Sequence, residues 1–455
     1  MKIVVGGASS VGKSIIGYLS LGNNDIIVVD ENKALLDEIS KEFDVQPLQG
    51  SISHPDVQEM AEMKNADMLI AVTDIDEVNL IACQVAHTLF NVEKKIARVD
   101  SEFFLNPLWN TLYNEKSLPV DLVITPDVEI ADFIYNLFKL PGSLSYYSFF
   151  RDKINIFSYR LKDSDIPFMK FSVSHINNKL SELYAKIMFI QRGNRWIIPK
   201  SDELFLQRND IIYISCAKER NIEVMRLFAV DHNPYEKVII FGANGISEYL
   251  SERFENDDNI INCSIIDNDN IKTVKLAEKL NRIAVISGEM MSDVILEDVH
   301  FAEADSIVAL TDKDKDNLLI SLLASKNKDT QAISLVNSNE YNLLSSNIRN
   351  NNVIDRSVIT ISGILQYLRK ARIDEAYSFG REVGEIWEIR LENDSINIGQ
   401  KINELNIPET SSVVAIFHNN EVIYEFNDYY LNEMDKILIY VHPSDIKKVE
   451  NIFYR

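Results

Sequence analysis

The first residues with the capacity for chemistry form a glycine-rich loop close to the N-terminus. The loop begins at Gly7 and reads G-A-S-S-V-G-K-S. Interpreted as GxxxxGK followed by serine or threonine, it is a P-loop, in which Lys13 contacts phosphates and Ser14 binds magnesium. Interpreted as GxGxxG with Ser9 in place of the middle glycine, it is a dinucleotide-binding fingerprint. In that case Gly7 makes a tight turn and Gly12 allows a helix to pack closely on a strand.

A second copy of this segment lies in the second half of the chain. The segment KVIIFGANGISEYL repeats the strand, the glycine turn and the helix start, with Gly242 in the position of Gly7. Further along, ADMLIAVTDIDEVN (residues 66–79) matches ADSIVALTDKDKDN (residues 304–317). Because these blocks recur at a nearly constant offset, we interpret the chain as a tandem duplication.

The duplication favours the dinucleotide interpretation. Lys13 corresponds to Glu248 in the second copy, and a glutamate does not hold phosphate as a P-loop lysine does. Both copies instead place an acid at the end of their second strand, Asp30 and Asp267. These acids follow the glycine turn at close to the ~20-residue spacing at which a carboxylate meets a ribose hydroxyl. An active P-loop is the less favoured alternative.

Threonine–aspartate pairs indicate a second edge of the same site. Thr73-Asp74 and Thr311-Asp312 each follow an apolar strand and open a helix. Their side-chain oxygens are suited to capping that helix. The same position is the carboxyl edge of the sheet, where open α/β folds bind ligands. The two roles are compatible with each other.

The elements that position these residues alternate between short β-branched runs and amphipathic helical segments. Such alternation predicts βαβ units, and hence a doubly wound parallel sheet of the α/β class. In each copy a smaller, strand-rich part follows. We therefore predict two Rossmann-like nucleotide-binding domains, each followed by a smaller α+β domain. The four domains are expected at residues 1–125, 140–225, 235–358 and 372–455.

The composition narrows the classes of partner. The formal net charge is −23, which argues against nucleic acid because phosphate binding requires a basic surface. Cys83, Cys216 and Cys263 form no CxxC pair, and we predict no metal site. The chain contains neither an apolar run long enough to span a bilayer nor a signal-peptide pattern, so we expect a cytoplasmic protein.

Six segments of the chain carry a resemblance to a known family. They are MKIVVGGASSVG, NNDIIVVDENK, QGSISHP, ADMLIAVT, ACQVAHTLFN and IARVD. In order and spacing they resemble the TrkA family, the regulatory subunits of Trk-type potassium uptake, which are built from RCK domains. The resemblance extends over the whole chain, with alternating N-terminal and C-terminal RCK domains.

The resemblance implies a regulatory subunit rather than an enzyme. Such a subunit is cytoplasmic and peripheral at the inner face of the plasma membrane, where it attaches to a membrane-embedded, TrkH- or TrkG-like potassium-translocating subunit. Its N-terminal domains would bind NAD(H), with ATP or ADP as further possible ligands, and the state of the ligand would bias ion transport. Homo-oligomers are the expected assembly.

The resemblance also implies which residues contact the nucleotide, with no catalytic residue among them. In the first copy the loop lies under the phosphates, an acid takes the ribose and the other residues line the edge of the site. These residues are Gly7, Ala8, Ser9, Ser10, Val11, Asp30, Thr73, Asp74 and Arg98. The corresponding residues of the second copy are Gly242, Ala243, Asn244, Gly245, Ile246, Asp267, Thr311 and Asp312.

Departures from the family pattern predict that the two halves bind with unequal affinity. Both copies lack the middle glycine, which is Ser9 in the first and Asn244 in the second, and a side chain there takes space from the pyrophosphate. The second copy also has Ser247 in place of the third glycine. It has Val336 in the region where the first copy has Arg98, so it lacks the cation expected near the ligand.

A nucleotide-dependent enzyme, either an NAD-linked oxidoreductase or a P-loop NTPase, is the alternative function. The spacing Tyr135-xxx-Lys139 resembles the acid–base pair of short-chain dehydrogenases. However, it lies on the helix that leaves the first domain, and we interpret it as a pair on the helix surface. We expect this exit helix, residues 128–140, and its counterpart, residues 359–368, to transmit the state of the ligand to neighbouring domains.

Overall fold

The chain divides into two compact units. The computed structural model describes residues 1–455 except 21, 23, 106, 115, 163–165, 194, 200–202, 229–234, 261, 328–329, 338–350, 369–371, 381–382, 427 and 454–455. The first unit contains Met1–Ile130 and Asp355–Tyr367. The second contains Ala131–Leu335, residues 351–354 and Leu368–Arg455.

The first unit is built on a parallel sheet. Its strands are β1 (Lys2–Gly6), β2 (Asp25–Asp30), β3 (Gln46–Gln49), β4 (Met68–Ala71), β5 (Lys94–Arg98) and β6 (Leu122–Ile124). Its helices are α1 (Ser10–Leu19), α2 (Lys33–Glu42), α3 (Pro55–Met60), α4 (Asp76–Phe90), α5 (Glu102–Leu105) and α6 (Pro126–Lys139). All neighbouring strands run parallel in the order β3-β2-β1-β4-β5-β6. Because the order reverses between β1 and β4, a crevice opens at the carboxyl ends of these two strands.

The central strands of this sheet are apolar along their length. Ile3, Val4 and Val5 of β1 and Leu69 and Ile70 of β4 are all 0% exposed. A central parallel strand is covered by helices on both faces, so its residues are continuously apolar instead of alternating. These buried strands fix the positions of the loops that follow them.

The second unit contains a sheet with the same strand order. Its strands are β12 (Lys237–Phe241), β13 (Asn262–Asp267), β14 (Ala284–Ser287), β15 (Ser306–Ala309), β16 (Gln331–Val336) and β17 (Asn351–Asp355), in the order β14-β13-β12-β15-β16-β17. Its helices are α10 (Gly245–Glu255), α11 (Asn270–Ala277), α12 (Asp293–Asp298) and α13 (Asp314–Ala324), and β17 is followed by α14 (Arg356–Leu368), which belongs to the first unit as far as Tyr367. The repeated order confirms the prediction of two doubly wound α/β domains.

Two smaller antiparallel sheets also belong to the second unit. One contains β7 (Ser145–Phe149), β8 (Ile154–Arg160), β9 (Ala185–Arg192), β10 (Arg195–Ile197) and β11 (Ile211–Ala217), with α7 (Ile166–Met169), α8 (Val173–Leu180) and α9 (Asn221–Leu227). The other contains β18 (Ile373–Ser378), β19 (Glu385–Arg390), β20 (Ser412–His418), β21 (Glu421–Ile423) and β22 (Lys436–Val441), with α15 (Ile446–Phe453). Their orders, β10-β9-β11-β8-β7 and β18-β19-β22-β20-β21, are equivalent when one is reversed. The α+β assignment of the smaller domains is therefore confirmed.

The two smaller sheets share one hydrophobic core rich in aromatic rings. Phe150 stacks on Phe417 with 5.1 Å between ring centroids, and Tyr147 lies 5.0 Å from Tyr377. The backbone N–H of Phe150 donates to the buried carboxylate of Glu388 at 2.7 Å. Aromatic pairs at these separations add to the free energy gained from burying their area, so the two sheets stabilise each other.

The helices that leave the parallel sheets contact opposite halves of the chain. Beyond Ile130, α6 lies in the second unit, where Phe138 meets Phe254 of α10 with 4.8 Å between ring centroids. Helix α14 lies in the first unit as far as Tyr367, whose carbonyl accepts a hydrogen bond from Lys94 Nζ at 3.0 Å. The two halves thus exchange their exit helices. Among the helices that the structure describes, none is long and apolar enough to cross a membrane.

Candidate functional site

The glycine turn after β1 has no room for side chains. Gly7 has φ +114°, and a Cβ atom on it would lie 2.7 Å from the backbone of Val72 in the loop after β4. A Cβ on Gly12 would lie 2.0 Å from the carbonyl oxygen of Gly7. The first glycine therefore makes the turn and the last lets α1 pack on it, as the dinucleotide interpretation requires.

The N-terminus of α1 is open at this turn. Ser9, the residue before the helix, makes no capping hydrogen bond with its side chain. Its Oγ is buried and has no hydrogen-bond partner among the described residues. Ser10 is exposed and Val11 is buried, so Val11 offers the site only its backbone N–H. Helix N-termini attract anions through their unpaired N–H groups, and this terminus is not satisfied by a side chain of its own.

The acid at the end of β2, Asp30, is hydrogen-bonded to the backbone of the glycine loop. Asp30 Oδ2 accepts a hydrogen bond from the N–H of Ala8 at 2.7 Å, and Oδ1 accepts one from Asn32 at 2.7 Å. Asp267 accepts from Ala243 at 2.7 Å in the same way in the second half. Each acid therefore orders its loop, a structural role that the sequence did not indicate. A carboxylate oxygen has a second lone pair, so a ribose hydroxyl can still bind there.

Thr73 is held by a buried asparagine that the sequence analysis did not single out. Asn79 Oδ1 accepts from the N–H and the Oγ1 of Thr73 at 2.9 and 2.7 Å, and Asn79 Nδ2 donates to the carbonyls of Thr73 and Arg98 at 2.9 and 3.0 Å. Asn317 makes the same bonds to Thr311 at 2.7 to 2.9 Å. Both asparagines end the longest matching block of the repeat, which was the available signal.

Arg98 lies beside Thr73 at the end of β5, where two carboxylates hold it. Its Nη1 is 2.8 Å from Asp74 Oδ1, and its Nη2 is 2.6 Å from Asp100 Oδ2. Burial lowers the pKa of the Arg98 guanidinium, but Asp100 and Asp74 raise it by more. The Arg98 side chain is 12% exposed whereas that of Asp74 is 71% exposed. Asp74 is thus the partner that an incoming anion can displace.

The residues of the P-loop alternative point away from the turn. Lys13 Nζ pairs with Glu38 at 2.7 Å and with Glu42 at 2.8 Å, both on α2. The hydrogen bonds to these two glutamates raise the pKa of Lys13. Ser14 Oγ donates to the carbonyl of Ser10 within the helix at 2.7 Å. Neither side chain is aimed at a phosphate or a metal.

The tyrosine–lysine pair of the oxidoreductase alternative lies on α6. Tyr135 Oη donates to Asp257 at 3.2 Å, and Lys139 Nζ donates to Asn136 at 2.7 Å. Burial and the carboxylate of Asp257 raise the pKa of Tyr135, whereas an acid–base tyrosine works best with a pKa near the operating pH. The geometry agrees with a helix-surface pair.

The second glycine loop is filled by its own side chains. Gly242 repeats the turn with φ +107°, but Asn244 caps α10: its Oδ1 accepts from the N–H of Ser247 at 3.2 Å. Ser247 Oγ accepts from the N–H of Asn244 at 2.8 Å. Gly245 has no side chain, and that of Ile246 is apolar and fully buried. The helix terminus that is open in the first copy is satisfied here.

The other edge of the second copy also differs. Asp312 pairs with Lys272 of α11 at 3.3 Å, and both side chains are well exposed. The structure places Leu335, and not Val336 as predicted, at the position of Arg98. The carbonyl of Leu335 accepts from Asn317 Nδ2 at 2.9 Å as that of Arg98 accepts from Asn79 Nδ2 at 3.0 Å, and the leucine side chain brings no charge. The cation at the second edge, Lys272, is therefore more exposed to solvent than Arg98 at the first edge: 45% of its side chain is exposed, against 12% for Arg98.

Comparison with known proteins assigns the chain to a family. The model of the TrkA-N domain matches residues 3–126 and 238–356, and that of the TrkA-C domain matches residues 386–454. The chain belongs to the TrkA family. Because the TrkA-N matches include both glycine loops, the family relationship covers both halves of the duplication, and the resemblance stated from the sequence is confirmed.

Relatives with TrkA names match along their whole length. The Trk system potassium uptake protein TrkA of Azorhizobium caulinodans is 28% identical over 453 residues, with 100% of this chain and 98% of the relative covered. That of Haemophilus influenzae is 29% identical over 461 residues, with the same coverage. This chain is therefore similar to these TrkA proteins along its whole length.

Solved structures of RCK domains share the fold of this TrkA-family chain. The GsuK RCK domain matches with a TM-score of 0.62 at 17% identity, covering 99% of this chain and 94% of that one. The GsuK channel bound to NAD matches with a TM-score of 0.61 at 16% identity, covering 100% of this chain and 78% of that one. At such identities the likeness establishes the common architecture.

Proposed function

We propose that the chain is a nucleotide-binding regulatory subunit of a potassium transport system, and that NAD(H) binds in its first half. The open N-terminus of α1, with the unpartnered Oγ of Ser9, is the observation that carries the proposal. Asp30 lies at the same edge of the sheet, within reach of the loop through Ala8. Phosphate and ribose sites are thus adjacent, as a dinucleotide requires.

The chemistry of the edge favours NAD(H) over a 2′-phosphorylated dinucleotide. A carboxylate at the position of Asp30 accepts from ribose hydroxyls and repels a 2′-phosphate. Arg98 can keep Asp100 as its partner and turn from the exposed Asp74 toward the ligand. ATP and ADP present the same phosphate and ribose groups, so we propose them as competing ligands.

The family relationship supports the regulatory part of the proposal. Relatives over the full length are named potassium uptake proteins, and a channel with this fold has been solved with NAD bound. We therefore propose a cytoplasmic subunit, peripheral at the membrane through a TrkH- or TrkG-like potassium-translocating partner and assembled as a homo-oligomer. The domain boundaries predicted from the sequence are part of this proposal.

The exchanged helices offer a route from ligand to partner. A ligand shifts an equilibrium only if it binds two states with different affinity. Helix α14 packs in the unit that holds the first glycine loop, and a Cβ on Gly363 of α14 would lie 2.6 Å from Glu129. Such close contact transmits small displacements, because packed helices do not deform continuously.

The proposal is tested by calorimetric titration of the purified chain with NADH. Ser10→Glu introduces a negative charge at the first position of α1, which the helix dipole tolerates but which repels a phosphate. We expect affinity to fall about tenfold or more. Ser40→Glu, on the exposed side of α2, is the matched control and should bind as the natural chain does. Steady oxidation of NADH, or hydrolysis of ATP, would support an enzyme instead.

A further inference from the structure

We propose that Asn244 and Ser247 keep the second glycine loop closed to nucleotides, so that each chain carries a nucleotide only in its first half. This inference rests on the proposed function and specifies which of two similar loops performs it. The second loop then serves as a structural support for its sheet. The side chains of Asn244 and Ser247, and not only the absence of glycine at these positions, determine that the second loop does not bind a nucleotide.

The closing contacts span the crevice in which a phosphate would lie. Asn244 Oδ1 takes the N–H of Ser247 at the helix start. Its Nδ2 donates to the carbonyl oxygen of Leu310, in the loop after β15, at 2.6 Å. One side chain therefore bonds both walls of the crevice, and a phosphate would have to break both contacts to enter.

Ser247 locks this arrangement and is itself inaccessible. It is 0% exposed, and its Oγ accepts from the N–H of Asn244 and donates to the Asn244 carbonyl, both at 2.8 Å. In the first loop the matching residue is Gly12, where a Cβ would lie 2.0 Å from the Gly7 carbonyl. The backbone of the second loop is accordingly different: Asn244 has φ −146°, and Ser9 has φ −67°.

Charge acts in the same direction as the side-chain contacts. Glu248 lies in the first turn of α10 and pairs with Lys279, whereas the first copy has Lys13 at this position. An acid in the first turn already interacts favourably with the helix dipole and repels a second anion. Glu248 is held in an ion pair beside the helix, as Lys13 is in the first copy, so it acts on a second anion through its charge and not through a contact.

The persistence of Asp267 is compatible with a loop that holds no ligand. Its carboxylate accepts from the N–H of Ala243 at 2.7 Å and from the N–H of Asp269 at 2.8 Å. These bonds order the turn whether or not a ribose is present. An acid in register with Asp30 is therefore required by the fold of the loop, and it does not by itself indicate a second site.

Calorimetry with NADH on the full chain tests the inference. We expect about one site per chain, and we expect Ser10→Glu to remove it. Two sites of equal affinity in the natural chain, or a site that survives Ser10→Glu, would overturn the inference and leave the proposed function standing. No binding at all would overturn the proposed function itself.

A gain-of-site variant tests the residues directly. The combination Asn244→Ser, Ser247→Gly and Glu248→Lys gives the second loop the residues that the first has at these three positions, and we expect about two sites per chain. A folded triple variant, checked by circular dichroism, that still binds at one site would contradict the assignment to these residues. Asn244→Ser alone removes the bridge to Leu310 but keeps a capping oxygen. It should give a weaker second site in a chain that is less disturbed.

Discussion

The two glycine loops of this chain share a strand, a turn and a helix start, yet they leave the helix N-terminus in opposite states. Gly7 and Gly242 adopt nearly the same φ, +114° and +107°. After the first turn Ser9 makes no cap, and after the second Asn244 caps the helix and bridges to the neighbouring loop. The comparison teaches that a helix terminus satisfied by its own side chain is lost as an anion site.

The support beneath the two loops, by contrast, is the same. Asp30 and Asp267 hold the N–H of the residue after the first glycine. Asn79 and Asn317 hold the loop after the fourth strand. These four side chains order the backbone of the loops and take no part in capping the helices. The two halves therefore differ at the helix N-terminus, while the hydrogen bonds that support their loops are the same. Stability measurements on matched variants test this division.

The largest effect is expected from the buried asparagines. Asn79→Ala removes the partner of the N–H of Thr73 and of the part-buried carbonyls of Thr73 and Arg98. An unsatisfied buried group costs about 1–3 kcal/mol, so we expect a loss of roughly 3 kcal/mol in the free energy of unfolding for the three part-buried groups together. Asn317→Ala should cost a similar amount. Urea unfolding followed by circular dichroism measures both. A much smaller loss in one half would show that the scaffolds have diverged as well.

The helix starts should respond unequally. Gly12→Ala forces a methyl group against the Gly7 carbonyl, and such overpacking costs about 1–3 kcal/mol. Ser247→Ala, at the matching position, keeps the volume and removes only part of a cap, for which about 1 kcal/mol is typical. Urea midpoints of the two variants give the comparison. Equal losses would mean that the two loops have the same backbone after all.

The smaller sheets differ in a buried acid. Burial and the neighbouring Glu450 raise the pKa of Glu385, on β19, to about 8. The matching residue of β8 is Asn155, which carries no acid: it pairs with Ser148 as Glu385 pairs with Ser378. As pH rises from about 4.5 to about 8, the unfolded chain loses this proton before the folded chain does, so the free energy of unfolding falls. One proton contributes at most about 1.4 kcal/mol per pH unit.

Glu385→Gln tests this pH dependence. The amide oxygen can still accept from Trp387 Nε1, which donates to Glu385 at 2.6 Å. We expect the fall in stability between pH 5 and 8 to become shallower by up to about 1.4 kcal/mol per unit. Exposed Glu421→Gln serves as the control. An unchanged slope in Glu385→Gln would show that the buried acid does not titrate in this range.

The smallest effect is expected at the aspartates that follow the threonines. Asp74→Asn removes an exposed partner of Arg98, and Asp312→Asn removes that of Lys272. Surface ion pairs contribute about 0–1 kcal/mol, so both variants should unfold close to the natural chain. The affinity for NADH distinguishes the two variants. Asp74→Asn removes one carboxylate partner of Arg98 and should raise the affinity slightly, while Asp312→Asn should leave the affinity unchanged.

Glycine positions and strand order could be predicted from the sequence because they depend on local geometry. The residues at positions 7 and 242 have φ near +110° and lie against a neighbouring loop, so they have to be glycine. Alternating strands and helices, for their part, have few ways to pack. The roles of Asp30 and Asp267 could not be predicted, since a carboxylate bonded to a backbone N–H depends on how two loops approach in space.

Other features had a signal that is easy to miss. Asn244 followed by Ser247 has the spacing of a capping box. Comparison with Gly12, however, shows Ser247 only as the loss of the third glycine of the fingerprint. Asn79 ends the longest repeated block without belonging to any motif. The exchange of α6 and α14 has no local signal, because helical periodicity predicts an apolar face but not the partner that covers it.

That exchange gives the chain the character of a dimer tied into one polypeptide. If two identical chains traded these helices, every substitution would appear in both loops, and a mutation that closed one would silence both. With the copies joined, each loop is encoded separately, and Asn244 can arise without altering Ser9. Each half still needs the other's helix to complete its packing, so a half that lost its ligand would still be required for the structure of the half that kept one.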